Sequence, residues 1–257
     1  MKGLLIKDYY CLKSNLISFL CLTVGVIVVG MMFAVSIYHG NMADAVTSMI
    51  GKEGMAAEEV YDMFRLGVWL VLLIPMAYVG NVIDCFKADR SADFGKQLFS
   101  MPVKPGQIVG ARYLTCLLYA GLSFVGSFLT AVCVSCATDK YPLSELLTVA
   151  VTFGAVLIMY LSIVMMLLYL FGTQQADLIQ TIPVLTALVA GVVYAVVRTG
   201  NMTGNEEDAF FANIWGCVKG FLTQHVGMLC IIALVILVLS FFLSVKIVEK
   251  RRGKAIC

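Results

Sequence analysis

Residues Leu146–Phe171 read LLTVAVTFGAVLIMYLSIVMMLLYLF, a stretch without a charged side chain. About 20 apolar residues in an α-helix cross a hydrocarbon core roughly 30 Å thick, and a helix satisfies its own backbone hydrogen bonds in lipid. Five other runs are of the same kind: Leu16–Tyr38, Leu66–Ile83, Ala111–Ala137, Leu178–Val197 and Phe221–Val245. The sequence therefore predicts an all-α polytopic membrane protein with six transmembrane helices.

The composition fits this class. Of the 257 residues, 61% are hydrophobic and 13% are charged, and the mean hydropathy is +0.94, which is far from the balance of a soluble domain. The segments between the runs are too short to form a separate core. We expect one membrane domain over residues 1–257 and no nucleic-acid partner, because the basic residues are spread along the flanks of the spans.

The distribution of lysine and arginine predicts the orientation. If the N-terminus is cytoplasmic, most of the 18 basic residues fall in cytoplasmic segments, as the positive-inside rule requires. Acidic residues in 53–62 and 206–208 then lie outside. Both termini are predicted to be cytoplasmic.

Residues 1–14 have a pattern of their own. Leu5, Tyr9 and Leu12 follow one another at spacings of four and three, while the lysines point elsewhere. This spacing predicts an amphipathic helix on the lipid surface at the inner face of the membrane. A simple positively charged anchor is the alternative.

The longest charged segment, residues 84–110, reads DCFKADRSADFGKQLFSMPVKPGQIVG. Mixed charges come first, and an apolar patch then precedes Pro102, which predicts a short helix ending near Met101. An apolar patch in a cytoplasmic loop suggests a partner protein. Packing of the patch on lipid headgroups or on the N-terminal helix is the alternative.

This segment and the residues after it resemble the loop between the second and third spans of ABC-2 type transporter permeases, in their small six-span branch. The matching residues are Leu98, Ser100, Met101, Pro102, Val103, Ile108, Val109, Arg112 and Tyr113. The opening MKGLLIKD is also similar to that family. Met101 and Arg112 are mild departures from the pattern, and Pro105 is a larger one.

The resemblance implies a homodimer in the bacterial inner membrane that works with two copies of a separate ATP-binding subunit. That subunit would bring ATP and Mg²⁺, with no cofactor in this chain, and would dock on the loop as a coupling helix. The docking residues implied are Asp89, Arg90, Phe94, Lys96, Gln97, Leu98, Phe99, Met101 and Pro102. A second, weaker contact is expected at Gly172–Asp177.

An enzymatic function is not expected. The sequence has no G-x-x-x-x-G-K-[ST] loop to hold phosphates, and its two histidines, His39 and His225, fall near the outer ends of spans. The nine cysteines are interpreted as small apolar residues. Cys133 and Cys136 could approach Cys217, but a zinc site would need more ligands.

The spans themselves carry almost no charge. Ion-coupled carriers need ionisable groups near the middle of the membrane, so a secondary transporter is disfavoured. Pro75 and Pro183 are expected to kink the second and fifth spans. Tyr78, Asn81 and Thr186 follow these prolines and are candidates for lining a substrate path. Hydrogen bonding between helices of one subunit is the alternative.

Spans with so few charges suit an amphipathic or lipidic cargo better than a sugar or an ion. The resemblance to the small six-span branch, whose permeases often export peptides, implies an amphipathic peptide such as a toxin or an antimicrobial peptide. Two alternatives remain open: an exporter of lipids or drugs with the same architecture, and a non-transporting membrane protein that binds such peptides for immunity or sensing.

Overall fold

The computed structural model describes residues 2–39, 48, 57–91, 103–138, 141–172, 176, 178–186, 189, 220 and 224–256. Its elements are α1 (Lys2–His39), α2 (Ala57–Ala77), a 3₁₀ helix (Tyr78–Ile83), α3 (Asp84–Ser91), α4 (Pro105–Ala137), α5 (Leu143–Phe171) and α6 (Val226–Ile256). Residues 178–186 are also helical. The described part of the chain is therefore helical throughout its regular structure, as predicted.

Among the described residues, five helical segments are long and apolar enough to span a membrane: Gly3–Ile37, Phe64–Asp89, Pro105–Ala137, Leu143–Phe171 and Val226–Arg251. They correspond to five of the six predicted spans and confirm a multi-pass membrane protein. The remaining prediction, Leu178–Val197, lies mostly outside the described residues beyond position 186, so the sixth span stays a prediction.

The N-terminal residues are helical, but they do not form a helix of their own. α1 is one helix of 38 residues, about 57 Å long at 1.5 Å per residue. No proline interrupts it and no glycine lies between Gly3 and Gly25, so nothing in the sequence ends a helix near residue 14. Asp8 and Leu12 are 2% and 0% exposed, so this part of α1 packs against the bundle. Its location at the lipid surface stays a prediction.

Contacts between the helices give their directions. Gly30 of α1 lies near Val134 of α4, while Asp8 contacts Arg112, so α1 and α4 run in parallel. Ser240 of α6 bonds to the Ser162 carbonyl of α5. The Arg251 guanidinium donates to the Leu170 carbonyl at 2.7 Å, so α5 and α6 also run in parallel.

The larger hydrophobic clusters of the described residues show which ends of the helices lie together. The first includes Leu12, Val109, Leu168 and Val248, which places the start of α1, the start of α4 and the ends of α5 and α6 at the same end. We call this the loop end, because α3 ends and α4 begins there. The second cluster includes Trp69 of α2 and lies at the opposite end.

Pro75 affects α2 as expected of a residue without an N–H group. α2 ends at Ala77, and the chain continues at once as the tighter 3₁₀ helix from Tyr78. The turn of α4 that faces Pro75 has a glycine: a Cβ atom built on Gly126 would lie 3.3 Å from the Pro75 Cβ. The absence of a side chain at Gly126 therefore allows α2 and α4 to approach closely.

Candidate functional site

Four charged side chains form a cluster at the loop end: Lys7, Asp8, Asp89 and Arg112. The Arg112 guanidinium donates from Nη1 to Asp8 Oδ1 at 2.7 Å and from Nη2 to Asp89 Oδ2. The Lys7 ammonium donates to the other Asp89 oxygen and lies 3.6 Å from Asp8 Oδ1. We call this set the charge cluster. Its two cations and two anions compensate one another.

One half of the cluster is shielded from solvent, whereas Lys7 and Asp89 are partly exposed. The side chains of Arg112 and Asp8 are only 8% and 2% exposed, so their charges are removed from water at a cost that only close pairing can offset. The Thr115 hydroxyl lies 3.3 Å from the second Asp8 oxygen and 3.0 Å from the Ala111 carbonyl, and its one proton is shared between these two acceptors. The Phe86 ring covers the guanidinium, with 4.9 Å from Arg112 Cζ to the ring centroid, a distance within the range of a cation–π contact.

Helical spacing brings these groups together. Phe86 and Asp89 are three residues apart on α3, and Arg112 and Thr115 are three residues apart on α4, so each pair lies on one helix face. α4 begins at Pro105, whose fixed φ suits the first turn of a helix. The start of α4 and the end of α3 therefore approach each other, and the Asp89–Arg112 ion pair holds them together.

The predicted docking residues divide into two groups. Asp89 belongs to the charge cluster, and Arg90 is in α3, although its side chain is not among the described ones. The rest lie outside the described residues: Phe94, Lys96, Gln97, Leu98, Phe99, Met101 and Pro102. Their role in docking stays a prediction.

The pairing of Asp8 with Arg112 was not predicted from the sequence. One signal was present, because Asp8 is the sole acidic residue in positions 1–43. An isolated acid beside a long apolar run needs a partner if it becomes buried. The basic partner is 104 positions away along the chain, and local spacing gives no indication of it.

The predicted path residues lie in different surroundings. The Tyr78 hydroxyl donates to the Asn15 carbonyl of α1, the kind of interhelical hydrogen bond that the sequence left open as an alternative. Asn81 is half-buried in the 3₁₀ helix. The Thr186 hydroxyl donates to the Ile182 carbonyl at 2.8 Å, one helical turn earlier. A role of these residues in a path remains a prediction.

A polar contact in the interior joins α4, α5 and α6. The Ser240 hydroxyl donates to the Ser162 carbonyl at 2.5 Å. The hydroxyl of Tyr113 lies 2.5 Å from that of Ser240 and 3.0 Å from that of Ser244. Because the single proton of Ser240 is used on Ser162, Tyr113 donates to Ser240 and accepts from Ser244. Such bonds hold membrane helices together without adding charge.

The opposite end of the bundle has an ion pair of its own. Arg65 Nε of α2 lies 3.4 Å from Glu145 Oε1 at the start of α5, and both side chains are partly exposed. The distance is that of an ion pair, without the alignment of a hydrogen bond. This pair is remote from the charge cluster. Its exposure is similar to that of Lys7 and Asp89 and greater than that of the buried Arg112 and Asp8.

Between the two ends lies an apolar cavity of about 410 Å³. Side chains from α2, α4, α5 and α6 line it, including Met76, Phe124, Gly154, Ile158 and Leu234. An apolar ligand or a lipid chain could fill such a space, whereas a sugar would find few hydrogen-bonding partners in its lining.

The cysteines contribute no cross-link among the described residues. Cys85 and Cys116 are buried and free, and Cys133 and Cys136 are free as well. The possible third partner, Cys217, lies outside the described residues.

Comparison with known proteins gives the family. Residues 54–249 match the family described as ABC-2 family transporter protein. No curated protein and no solved structure matches the chain. Permeases of this family are the transmembrane components of ABC transporters and normally work with a separate ATP-binding subunit. Because the match covers most of the chain, the protein belongs to the ABC-2 transporter family and is a membrane permease of an ABC transporter.

Proposed function

We propose that this permease exports amphipathic peptides as a homodimer of six-span subunits in a bacterial cell membrane. Two copies of a separate ATP-binding subunit would dock on residues 84–110 and supply the energy. The observation that carries this proposal is the charge cluster, which fixes the base of the loop to α1 and α4. A loop with a fixed base can transmit the movement of a docked subunit into the membrane helices.

An ATP-driven permease of this kind must satisfy one energetic condition. ATP shifts the equilibrium between two arrangements of the permease only if the docked subunit binds them with different affinity. The segment carrying the predicted docking residues follows α3, which ends at Ser91, and precedes α4, which begins at Pro105. Asp89 and Arg112 connect these two helices through a direct ion pair, so both ends of the segment would move together.

The nature of the cargo is supported by the interior of the bundle. In the described spans, the buried polar groups between the two ion-paired ends are hydroxyls, among them Ser123, Ser127, Thr130 and Thr152. Several bond to carbonyls within the bundle, as Ser127 does to Leu72 at 2.7 Å. An interior of this kind suits a cargo with apolar surface better than an ion, which needs ionisable groups along its path.

The parallel arrangement of α5 and α6 supports the six-span topology. Two consecutive long helices can cross a membrane in the same direction only if the chain crosses back between them. The predicted span Leu178–Val197 would provide this crossing, and residues 178–186 are helical. With six spans, both termini would lie at the loop end, on the cytoplasmic side.

A lipid or drug exporter is the second candidate, and the apolar cavity favours it as much as it favours a peptide exporter. A protein that binds peptides without transporting them would retain the bundle but would need no ATP-binding partner. Purification of the permease from its native host, followed by identification of the bound subunits, separates this last possibility from both exporters.

The docking surface can be tested by replacing Leu98 and Phe99 together with aspartate. We expect the ATP-binding subunit to be lost during purification while the permease remains monodisperse in detergent, because two buried apolar contacts would become charged. The control replaces Leu143 and Ser144 with aspartate, since both are exposed at the opposite end. If the subunit remains bound to the Leu98→Asp, Phe99→Asp variant, the docking surface lies elsewhere.

A further inference from the structure

The charge cluster joins three elements that are separate in the sequence. Lys7 and Asp8 come from α1, Asp89 from the last turn of α3, and Arg112 from the second turn of α4. Arg112 contacts both carboxylates, Asp8 through Nη1 and Asp89 through Nη2. Lys7 of α1 also contacts both, because its ammonium donates to Asp89 and lies 3.6 Å from Asp8 Oδ1. We propose that Arg112 is a positioning residue that locks α1 to α3, so that movement of the loop on ATP binding carries the N-terminal half of α1 with it.

This inference rests on the proposed function, because it requires an ATP-binding subunit docked on the loop. It adds a transmission route to that function. The movement would pass from α3 to α1 through the guanidinium of Arg112 and through the direct Lys7–Asp89 ion pair, in addition to passing along the chain into α4.

The geometry explains why arginine is needed. A guanidinium is planar and presents its N–H groups in a rigid fork, so it can hold two carboxylates at fixed positions. A lysine ammonium carries its charge on one nitrogen atom at the end of a flexible alkyl chain. The Phe86 ring also packs against the planar guanidinium, with 4.9 Å from Arg112 Cζ to the ring centroid. Lysine at this position would keep the positive charge but would not hold both carboxylates in this arrangement.

The charge balance explains why the elements should move together. If α3 withdrew alone, Asp89 would leave, and Asp8 would face Arg112 and Lys7 as a single anion between two cations. The Arg112 and Asp8 side chains are almost completely buried, so the unpaired positive charge would be poorly solvated. Concerted movement of α1 with α3 keeps the pairs intact.

The first experiment needs no substitution. Amide hydrogen exchange is measured on the complex with the ATP-binding subunit, purified from the native host, with and without a non-hydrolysable ATP analogue. We expect exchange in residues 2–14 and 84–91 to change together. A change in residues 84–91 with residues 2–14 unaffected would overturn the inference.

The second experiment uses Arg112→Lys in the same complex, reconstituted in phospholipid vesicles. We expect the amount of bound ATP-binding subunit to equal that of the wild type. The stimulation of ATP hydrolysis by a synthetic amphipathic Leu–Lys peptide should fall about fivefold, an effect typical of residues that couple distant sites. The response of residues 2–14 to the analogue should also be reduced, since only the direct Lys7–Asp89 ion pair would still join α1 to α3.

The matched control is Arg65→Lys, which alters an arginine–carboxylate pair of the same type at the opposite end and should leave all three measurements unchanged. An Arg112→Lys complex with the peptide stimulation and exchange response of the wild type would contradict the positioning role. If the wild-type permease binds no ATP-binding subunit, the proposed function itself fails.

Discussion

At the scale of single residues, Asp8 shows how a charged side chain is compensated in the interior of this membrane protein. Its side chain is 2% exposed, and it accepts from Arg112 at 2.7 Å and from Thr115 at 3.3 Å. A buried ion of this kind gains little net stability from its pair, but loss of one partner leaves the other charge uncompensated. Asp8 is therefore a sensitive position for substitution.

We expect Asp8→Asn to lower the free energy of unfolding by about 3 kcal/mol, because Arg112 and Lys7 would share a single carboxylate in a buried site. Thermal unfolding of the purified permease in detergent measures this effect.

The control for this prediction is Glu145→Gln at the opposite end. It breaks the partly exposed pair with Arg65 and should cost less than about 1 kcal/mol, as solvent-exposed pairs usually do. If Asp8→Asn and Glu145→Gln lower the free energy of unfolding equally, Asp8 is hydrated in the folded protein.

The residue-level role of Asp8 could be only partly predicted from the sequence. An acid at the start of a long apolar helix suggests a basic partner. Several basic residues of the predicted cytoplasmic side could be that partner, among them Lys87, Arg90 and Arg112, and the sequence does not distinguish them. The choice among them depends on how α3 folds back against α4. The positions of Phe86 and Thr115 around the ion pair follow from that packing, which no local pattern encodes.

At the scale of elements, α4 is the helix around which the others pack. It contacts α1 and α2 near Gly126, where an added Cβ would lie 3.1 Å from Phe19 Cζ, 3.3 Å from Pro75 Cβ and 3.3 Å from Thr23 Cγ2. Close approach of membrane helices commonly depends on small residues of this kind.

Replacement of Gly126 by leucine should force α1 and α2 away from α4, at a cost of about 1–3 kcal/mol for the overpacked contact. The rigid Pro75 ring leaves little room for adjustment. Thermal unfolding in detergent, combined with the elution volume of the permease, measures the loss of stability and any expansion.

Gly121→Leu is the matched control, because Gly121 lies on the same helix and an added Cβ there meets nothing within 4 Å. Both substitutions remove a flexible glycine from a helix interior and gain the same helix propensity. If Gly126→Leu unfolds at the same temperature as Gly121→Leu, the helices adapt at this crossing without cost.

The helices could be predicted well where the run of apolar residues was long and uninterrupted. Runs of about 20 apolar residues indicate membrane helices because lipid leaves the backbone few alternatives. The N-terminal part of α1 was less predictable. The spacing of Leu5, Tyr9 and Leu12 predicted a helix, but whether that helix turns on to the membrane surface depends on its contacts with α3 and α4. The burial of Asp8 and Leu12 provides those contacts.

At the scale of the whole molecule, polar interactions are concentrated in a few layers. The charge cluster lies at the loop end, the Tyr113–Ser240 contact lies farther into the bundle, and the Arg65–Glu145 pair lies at the opposite end. In the described part of the bundle, hydroxyl groups bond to carbonyls of neighbouring helices between these ends, as Ser127 does to Leu72 and Tyr119 to Leu12. The ion pairs therefore lie towards the ends of the bundle, while hydroxyls connect the helices between them.

The direction of α6 leads to the last prediction. Ser240 and Arg251 of α6 contact Ser162 and Leu170 of α5 in the same order, so both helices end on the same side of the membrane. Fluorescent protein fused after Gly172 and after Cys257 should therefore fluoresce in bacterial cells, and alkaline phosphatase fused at these points should be inactive. Alkaline phosphatase fused after Thr138, between α4 and α5, should be active because that connection lies at the opposite end. Active phosphatase after Cys257, with inactive phosphatase after Gly172, would require α5 and α6 to be antiparallel and would contradict both their packing and the six-span topology.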